Sequence, residues 1–352
     1  MRKIIVILIL LTSYQATIAQ NTLPTVVVVA TGGTIAGSGN NGTTTAYKPG
    51  VISVEDMLKT VPEIAQIANI KAVQFSNIAS QDMTTQLMCQ LTKLVDSLLA
   101  IQNVSGVVIT HGTDTMEETA YFLSLTTNSK KPVVLVGSMR PSTAISADGP
   151  QNLFNAVLVA ASQNSRDKGV MVVMNNKVFE ARGVTKHHTT DIESFTSHNF
   201  GVAAYIANRD VDYINTQKQR SIIHPFCAKL DSTSKTAILY AHTDTDADIV
   251  DFLVSNGYKG IVVAGVGHGN TSQKTLDALI NASKNGVVIV RSSKVGSGKV
   301  SSKGEVDDQK YGFTSSGYLN PAQARILLML SLQSSDGNKT KAIKMFNQIK
   351  NY

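Results

Sequence analysis

The fold is decided by residues 26–37, which read Val-Val-Val-Val-Ala-Thr-Gly-Gly-Thr-Ile-Ala-Gly. Because residues 26–30 are apolar without alternation, we expect a strand of a parallel sheet that is buried on both faces. Gly32 and Gly33 can adopt positive φ angles, so the chain can turn sharply where this strand ends. Ligands bind at that end of an open α/β sheet, which makes Thr34 a candidate site residue. A helix cap or a plain turn explains the same threonine equally well.

Strand and helix patterns alternate along the rest of the chain, which is typical of a parallel sheet with helices on both faces. Apolar runs predict further strands at residues 71–78, 106–110, 132–136, 170–174, 236–240, 260–264 and 287–290. Helical periodicity predicts helices at residues 54–68, 83–100, 116–125, 152–162, 246–255, 272–284, 321–331 and 340–349. Polar segments without such periodicity are found at residues 175–191, 208–234 and 291–312.

The second of these polar segments indicates a linker, which we place at residues 214–234. We therefore expect two three-layer α/β domains joined by it. The larger one, at residues 20–213, is the expected catalytic domain, and the smaller one occupies residues 235–352. A chain of 352 residues is long enough for two such cores.

The first 19 residues have the pattern of a secretory signal peptide. Arg2 and Lys3 give a positive start, residues 4–11 are apolar, and Ala19 supplies a small residue for cleavage. The apolar run is too short to span a membrane, and no later segment is long and apolar enough to do so. We therefore predict a periplasmic or secreted protein without a membrane anchor.

Composition limits the remaining classes of function. Hydrophobic residues make up 43% and charged residues 16% of the chain, as in ordinary globular proteins. The net charge of +7 is spread along the chain without basic clusters, which argues against nucleic-acid binding. The two cysteines, Cys89 and Cys227, could form a disulfide in an exported protein, but we favour two thiols.

Hydroxyl, acidic and lysine side chains follow the predicted strands of the first domain. They are Thr34, Ser80 with Gln81, Thr113 with Asp114, and Lys186. A hydroxyl group needs a neighbouring base to act as a nucleophile, and its attack creates an oxyanion that needs hydrogen-bond donors. A partly desolvated lysine can accept a proton through a threonine, and backbone N–H groups at Gly33 and Gly112 are the expected donors.

Other motifs fit the sequence less well. Residues 32–37 lack the spacing of a dinucleotide-binding loop and the Gly-Lys of a phosphate loop, so a nucleotide-binding enzyme is a distant alternative. Ser138 lacks the Gly-x-Ser-x-Gly context of a serine hydrolase. The histidines and acid at 187–191 lack a zinc spacing. We therefore expect neither a metal nor a cofactor.

Two segments resemble the signatures of bacterial-type L-asparaginases and glutaminase-asparaginases. They are residues 28–36 and residues 106–116, of which the second, with Thr-His-Gly-Thr-Asp-Thr-Met, is especially specific. The resemblance spans the mature chain, and the signal peptide is similar to that of the exported type II enzymes. It implies a flavodoxin-like first domain with a left-handed crossover. It also implies a homotetramer, a dimer of dimers whose active sites form between subunits.

The resemblance also implies a role for each candidate residue. Thr34 would be the nucleophile that forms an acyl-enzyme, and Tyr47, on a loop expected to be mobile, would activate it. Thr113, Asp114 and Lys186 would form a second hydroxyl–lysine–carboxylate group. Ser80 and Gln81 would hold the substrate α-carboxylate, while Asp114 and Glu305 of a neighbouring subunit would hold its ammonium. The full set of predicted substrate-binding residues is Gly33, Ser80, Gln81, Thr113, Asp114, His268 and Glu305.

His268 is a departure from the family pattern. Family members usually carry Asn in this Gly-x-Gly segment, near the neighbouring subunit's carboxylates. A histidine there replaces an amide with a titratable group and bears on ammonium binding and on the pH profile. The nucleophile is not affected by this change.

Three hypotheses of function follow. The first is hydrolysis of the side-chain amide of L-asparagine to L-aspartate and ammonia. The second is a glutaminase-asparaginase, because one methylene is worth only about 1–3 kcal/mol of discrimination in a pocket. The third is an exported amino-acid-binding protein with two lobes. This hypothesis does not explain why Thr34, Thr113 and Lys186 converge, because binding alone needs no nucleophile.

Overall fold

The computed structural model describes residues 23–39, 47–215 and 235–351. The predicted signal peptide, Cys227 and residues 216–234 of the predicted linker lie outside these ranges. The domain boundaries therefore stay predictions. Over the described residues the protein has two α/β units, a larger one before the linker and a smaller one after it.

The strands, in chain order, are β1 (Thr25–Gly32), β2 (Ser38–Gly39), β3 (Tyr47–Lys48), β4 (Asn69–Ile78), β5 (Val104–Thr110), β6 (Val133–Val136), β7 (Val170–Met174), β8 (Lys177–Glu180), β9 (Thr185–Lys186), β10 (Phe195–Thr196), β11 (Ala204–Ala207), β12 (Asp210–Tyr213), β13 (Thr236–Tyr240), β14 (Gly260–Gly265), β15 (Val288–Ser293) and β16 (Thr314–Ser315). The α-helices are α1 (Val54–Lys59), α2 (Thr85–Leu99), α3 (Met116–Thr126), α4 (Gly149–Ala161), α5 (Asp248–Ser255), α6 (Gln273–Lys284), α7 (Asp308–Tyr311), α8 (Pro321–Ser334) and α9 (Lys339–Ile349). Short 3-10 helices lie at Thr34–Ala36, Pro62–Gln66, Ser80–Asp82 and Gln163–Ser165.

The larger sheet has the strand order β12-β11-β8-β7-β6-β5-β1-β4. Strands β4, β1, β5, β6 and β7 are parallel to one another, in the order typical of flavodoxin-like sheets. Strand β1 alternates between two cores, with Val26 and Val28 packed on one side of the sheet and Val27 and Val29 on the other. The predicted fold class and the doubly buried first strand are confirmed.

The far edge of the sheet differs from the expectation. Strand β8 lies in the segment predicted to be polar and irregular, and it pairs antiparallel with β7. Strand β12 lies in the region where periodicity fades, and it pairs antiparallel with β11. Both hairpins close through two residues with positive φ angles, Asn175–Asn176 and Asn208–Arg209, in the manner of tight hairpin turns. Because β11 and β12 are half exposed, their apolar signal is weak.

The helix predicted at residues 54–68 is wrong as a single element. Helix α1 ends at Lys59, and a 3-10 helix begins at Pro62. Proline disfavours the helical conformation of the residue before it, and Val61 accordingly has a φ of −134° and a ψ of 66°. The apolar periodicity continues across this break because both pieces pack on the same core, through Met57 and Ile64.

The second unit is built on a parallel sheet of strand order β13-β14-β15-β16. The polar loop predicted at residues 291–312 is wrong at both ends. Arg291 lies inside β15, and Asp308 begins α7. The two side chains form an ion pair, and each is only 3% exposed. The charge of Arg291 predicts a loop, because the sequence does not show that Asp308, 17 residues later, pairs with it in the interior.

The two units share a hydrophobic core. It joins Cys89 of α2 and Phe122 of α3 to Val262 of β14 and Leu327 of α8. The prediction that Cys89 is a core residue is confirmed, with 6% of its surface exposed. Over the described residues, no helix is long and apolar enough to cross a membrane.

Candidate active site

A cavity of about 420 Å³ opens at the carboxyl edge of the larger sheet. Its walls combine hydroxyl groups with a lysine, an aspartate and backbone. The residues that line it are Gly33, Thr34, Tyr47, Pro49, Ala79, Ser80, Gln81, Gly112, Thr113, Asp114, Met139, Lys186, Thr189 and Thr190. Most of the predicted site residues therefore meet in one place.

The strand order explains why they meet. Strand β1 lies between β4 and β5, so the chain passes to one side of β1 first and to the other side afterwards. Such a switch point leaves a crevice at the carboxyl ends of the strands. Thr34 follows β1, Ser80 follows β4, and Thr113 follows β5. The sheet thus brings together three segments that are far apart in sequence.

Two glycines let these segments approach closely. Gly33 has a φ of 79°, and a Cβ atom there would lie 2.4 Å from the Gly112 nitrogen. A Cβ atom at Gly112 would lie 2.7 Å from Ser80 Oγ. The expectation that Gly33 offers its N–H group as an oxyanion donor is wrong. That group donates to the Ile78 carbonyl oxygen at 3.0 Å, because β1 continues to pair with β4 at this point.

Thr34 and Tyr47 form one half of the site. The Thr34 Oγ1 and Tyr47 Oη atoms are 2.7 Å apart, and Thr34 is 7% exposed. Tyr47 lies on β3, which pairs with β2 so that Tyr47 faces Gly39. Residues 40–46 of the loop predicted to be mobile lie outside the described residues.

The segment after β6 holds this hairpin in place. Ser142 donates to the Gly37 carbonyl oxygen through both its N–H, at 3.1 Å, and its hydroxyl, at 2.9 Å. Thr143 Oγ1 accepts from the Gly39 N–H at 2.9 Å. These bonds lie at the base of the hairpin that carries Tyr47, so they help set the position of the tyrosine beside Thr34.

Thr113, Asp114 and Lys186 form the other half of the site. The Lys186 ammonium donates to Thr113 Oγ1 at 2.9 Å and to Asp114 Oδ1 at 2.6 Å. The lysine side chain is 16% exposed, whereas that of Asp114 is 59% exposed. The carboxylate can therefore receive a second cation from the cavity while it holds the lysine.

Ser80 and Gln81 lie in the 3-10 helix that follows β4. The Ser80 hydroxyl accepts from the Asp114 N–H at 3.2 Å, and its carbonyl accepts from the Thr115 hydroxyl at 2.7 Å. Ser80 is buried and Gln81 is exposed at the cavity wall. Two polar side chains thus line the same cavity as the aspartate.

Glu305 and His268 do not line this cavity. Glu305 is exposed on the second unit. The His268 Nε2 atom accepts from the Ser301 N–H at 3.0 Å, and the His268 carbonyl accepts from Arg291 at 3.2 Å. Within one chain, these two predicted site residues belong to a loop system of the smaller unit.

His111 is a buried residue whose two ring nitrogens are both within hydrogen-bond distance of a partner. It is 0% exposed; its Nδ1 atom lies 2.7 Å from the Gly112 carbonyl oxygen and its Nε2 atom 3.0 Å from Thr119 Oγ1. A carbonyl oxygen can only accept, so Nδ1 carries the proton and Nε2 accepts from the threonine hydroxyl. Burial lowers the pKa of His111 to about 4. The neutral ring thus supports the turn that carries Thr113.

We expect His111 to make the protein sensitive to acid. The unfolded chain takes up this proton below about pH 6.5, whereas the folded protein resists it down to about pH 4. The contribution of neutral His111 to the free energy of unfolding is therefore fully present above about pH 6.5. About 3 kcal/mol of it is lost as the pH falls to about 4. The free energy of unfolding, measured by denaturant titration at both pH values, should fall less in His111→Gln than in the wild type. A fall of equal size in both proteins would contradict this role, and exposed His242→Gln is the control.

Several lining residues were missed by sequence reasoning: Pro49, Ala79, Met139, Thr189 and Thr190. Thr189 and Thr190 carried a usable signal, since they follow Lys186 in a polar segment. Met139 and Pro49 carried none, because apolar residues next to turns are common. Among the residues that the structure describes, no cluster of three or more His, Cys, Asp or Glu side chains could hold a metal ion.

Fold and site together define a class of protein. It is a two-domain α/β protein whose cavity combines two threonines with a tyrosine, a lysine and an aspartate at the switch point of a parallel sheet. The chain matches the family model for the N-terminal domain of asparaginase over residues 25–219 and that for the glutaminase/asparaginase C-terminal domain over residues 235–346. The chain belongs to the asparaginase family.

Individual relatives agree with these matches. The chain is 49% identical to a protein of Haemophilus influenzae named probable L-asparaginase periplasmic, over 90% of this chain and 91% of the relative. It is 47% identical to L-asparaginase 2 of Escherichia coli, over 93% of both chains. The crystal structure of a probable cytoplasmic L-asparaginase from Campylobacter jejuni superposes with a TM-score of 0.86 at 44% identity. That similarity covers 92% of this chain and 99% of the other.

Proposed function

We propose that this protein hydrolyses the side-chain amide of L-asparagine to L-aspartate and ammonia through a threonyl acyl-enzyme. Family membership supports the reaction. The observation that carries the mechanism is the pair of hydroxyl groups facing one cavity, each next to a group that can move a proton: Thr34 at 2.7 Å from Tyr47 and Thr113 at 2.9 Å from Lys186.

In the first step, the Thr34 hydroxyl attacks the amide carbon of asparagine. The Tyr47 oxygen accepts the threonine proton while the carbon–oxygen bond forms, and its own phenolic proton passes to solvent water. The carbon–nitrogen bond then breaks, and the amide nitrogen takes up a proton and departs as ammonia. Lys186 is placed to deliver that proton through Thr113, since its ammonium donates directly to the Thr113 hydroxyl.

In the second step, a water molecule attacks the ester carbon. One of its protons passes through Thr113 to Lys186 and restores the ammonium. The ester bond breaks, Tyr47 returns a proton to the Thr34 oxygen, and Tyr47 recovers its own proton from water. Aspartate leaves with a new side-chain carboxylate. One water is consumed for each ammonia released, and the step needs neither a metal nor a cofactor to balance it.

Recognition of the substrate follows from the charges of the cavity. The proposed partners of the substrate α-carboxylate are Ser80 and Gln81, and Asp114 is the partner of its ammonium. Gly33 has no side chain, so the substrate can contact its backbone directly. The bound substrate ammonium shares the Asp114 carboxylate with Lys186. This weakens the ion pair between Asp114 and Lys186, so the lysine gives up its proton more readily.

We propose that the working unit is a homotetramer built as a dimer of dimers. Glu305 and His268 lie outside their own cavity, so a role of either in substrate binding requires the site of a neighbouring subunit. Exposed apolar side chains on the smaller unit, Tyr240 at 61% and Phe252 at 63%, favour subunit contacts. We also propose export to the periplasm or the medium, directed by residues 1–19. The name of the Haemophilus influenzae relative favours the periplasm.

Ammonia release by the purified protein is the experiment that tests this function. Asparagine and glutamine are compared in the same assay at equal concentrations. We expect ammonia and aspartate in equal amounts from asparagine. A glutaminase-asparaginase, which the description of the C-terminal family model favours, would use glutamine at a comparable rate. Tight binding of asparagine without ammonia release would instead identify an amino-acid-binding protein and overturn the proposal.

A further inference from the structure

The two acidic residues in the first turn of α3 both reach across to α8 of the smaller unit. Glu118 accepts from Arg325 at 2.9 Å, and Glu117 accepts from the side-chain amide of Asn320 at 3.1 Å. An acid in the first turn of a helix is ordinarily explained by the helix dipole. Glu118 forms an ordinary ion pair with Arg325, which accounts for its position. Glu117 differs in what its second oxygen contacts.

The second oxygen of Glu117 holds the main chain of Lys186. The Lys186 N–H donates to Glu117 Oε2 at 2.7 Å, and the Thr185 side chain also donates to this carboxylate. Strand β9, which carries Lys186, is only two residues long and pairs with β10 outside the large sheet. The position of Lys186 therefore depends on contacts beyond its own short strand.

Helix α8 contacts the preceding residues as well. Gln323, which is 0% exposed, accepts from the Gly183 N–H at 3.3 Å. It donates to the Ala181 and Val184 carbonyl oxygens, both at 3.2 Å. Its own N–H is capped by Asn320 Oδ1 at 2.8 Å. The first turn of α8 thus contacts the chain from Ala181 to Val184, and Glu117 extends this contact to Lys186.

We propose that Glu117 is a positioning residue for Lys186, which it links through Asn320 to the start of α8 in the smaller unit. The inference rests on the proposed function, since it assigns Lys186 a catalytic task. Glu117 does not touch the cavity itself. It fixes the backbone from which the lysine side chain reaches Thr113 and Asp114.

The chemistry of the link makes it specific for a carboxylate at position 117. All the groups around Glu117 are donors: the Thr185 hydroxyl, the Lys186 N–H and the Asn320 amide. The Asn320 oxygen is already committed to the cap of α8, so Asn320 cannot turn its oxygen towards residue 117. A glutamine there would place its NH₂ group against a second donor. Burial raises the pKa of Glu117, because removal from water disfavours the charged carboxylate.

Three variants and one control test the proposal. Glu117→Gln creates the donor–donor clash, and Asn320→Asp sets a second carboxylate against Glu117. The double variant Glu117→Gln/Asn320→Asp restores complementarity, because the glutamine amide can donate to the aspartate, which can still cap α8. Glu118→Gln is the control, since it removes the charge from the neighbouring contact between the same two helices without touching Lys186.

We expect Glu117→Gln to lower kcat for asparagine about tenfold or more, with a smaller change in KM, because a small displacement of Lys186 harms proton transfer more than binding. The double variant should return kcat to near the wild-type value, while Glu118→Gln lowers the melting temperature and leaves kcat unchanged. Wild-type kcat in Glu117→Gln, an equal loss in Glu118→Gln, or no recovery in the double variant would overturn the proposal.

If Glu117→Gln fails to fold, Asn320→Asp and the double variant still form a comparison, and recovery of kcat in the latter remains the expected result. The wild type in the same assay separates this inference from the proposed function. No ammonia from the wild type refutes the function, whereas an active wild type with equally active variants refutes only the role of Glu117.

Discussion

Replacement of Thr34 by alanine is expected to abolish ammonia release from asparagine while the protein stays folded. The variant lacks the oxygen that forms the acyl-enzyme, so turnover should fall at least about 10³-fold. The substitution removes only a hydroxyl and one methyl group from a residue that is 7% exposed, so we expect the protein to remain folded. Turnover is measured by ammonia release, folding by circular dichroism, and asparagine binding by calorimetry.

A neighbouring threonine provides the matched control. Thr31 donates its hydroxyl to the Thr110 carbonyl oxygen at 2.8 Å inside the sheet, and it does not line the cavity. Thr31→Val should therefore lower stability and keep turnover. If Thr34→Ala retained turnover near that of the wild type, the nucleophile would have to be another group, of which Thr113 is the nearest in kind.

Replacement of Lys186 by methionine is expected to lower kcat much more than it raises KM. Methionine keeps much of the side-chain volume but removes the ammonium that donates to Thr113 and Asp114. A group that moves a proton in the transition state is worth roughly 10²–10⁴-fold in rate. Steady-state kinetics with asparagine measure both constants.

Lys177→Met is the matched control for this substitution. Lys177 pairs with Glu193, is not part of the cavity, and can be removed without touching Thr113. It should leave both constants unchanged. If Lys186→Met lowers kcat and kcat/KM by the same factor, with KM unchanged, Lys186 acts in the transition state. A rise in KM with unchanged kcat would show that Lys186 only binds the substrate.

The central parallel strands β1, β5, β6 and β7 were predictable because they are buried on both faces. Residues 26–30 and 106–110 are runs of apolar residues, and their strand assignment follows directly. The antiparallel edge was not predictable in the same way. Strands β11 and β12 are half exposed, and their turn depends on positive φ angles at Asn208 and Arg209, which a polar stretch does not reveal.

The polar residues of the site were predictable where they follow the end of a predicted strand. Thr34, Ser80 and Thr113 were found because the carboxyl ends of adjacent parallel strands share one edge of the sheet. The link from Glu117 to Asn320 was not, because the two residues are 203 positions apart and meet only when the two units pack together.

The central claim is that the Thr34 oxygen bonds to the amide carbon of the substrate, and trapping of that bond tests it most directly. The protein is mixed with asparagine, quenched in acid within the first turnovers, digested, and examined by mass spectrometry. We predict an aspartyl ester on the peptide that contains Thr34, and its absence in Thr34→Ala. An ester on the peptide that contains Thr113, with Thr34 unmodified, would contradict the account.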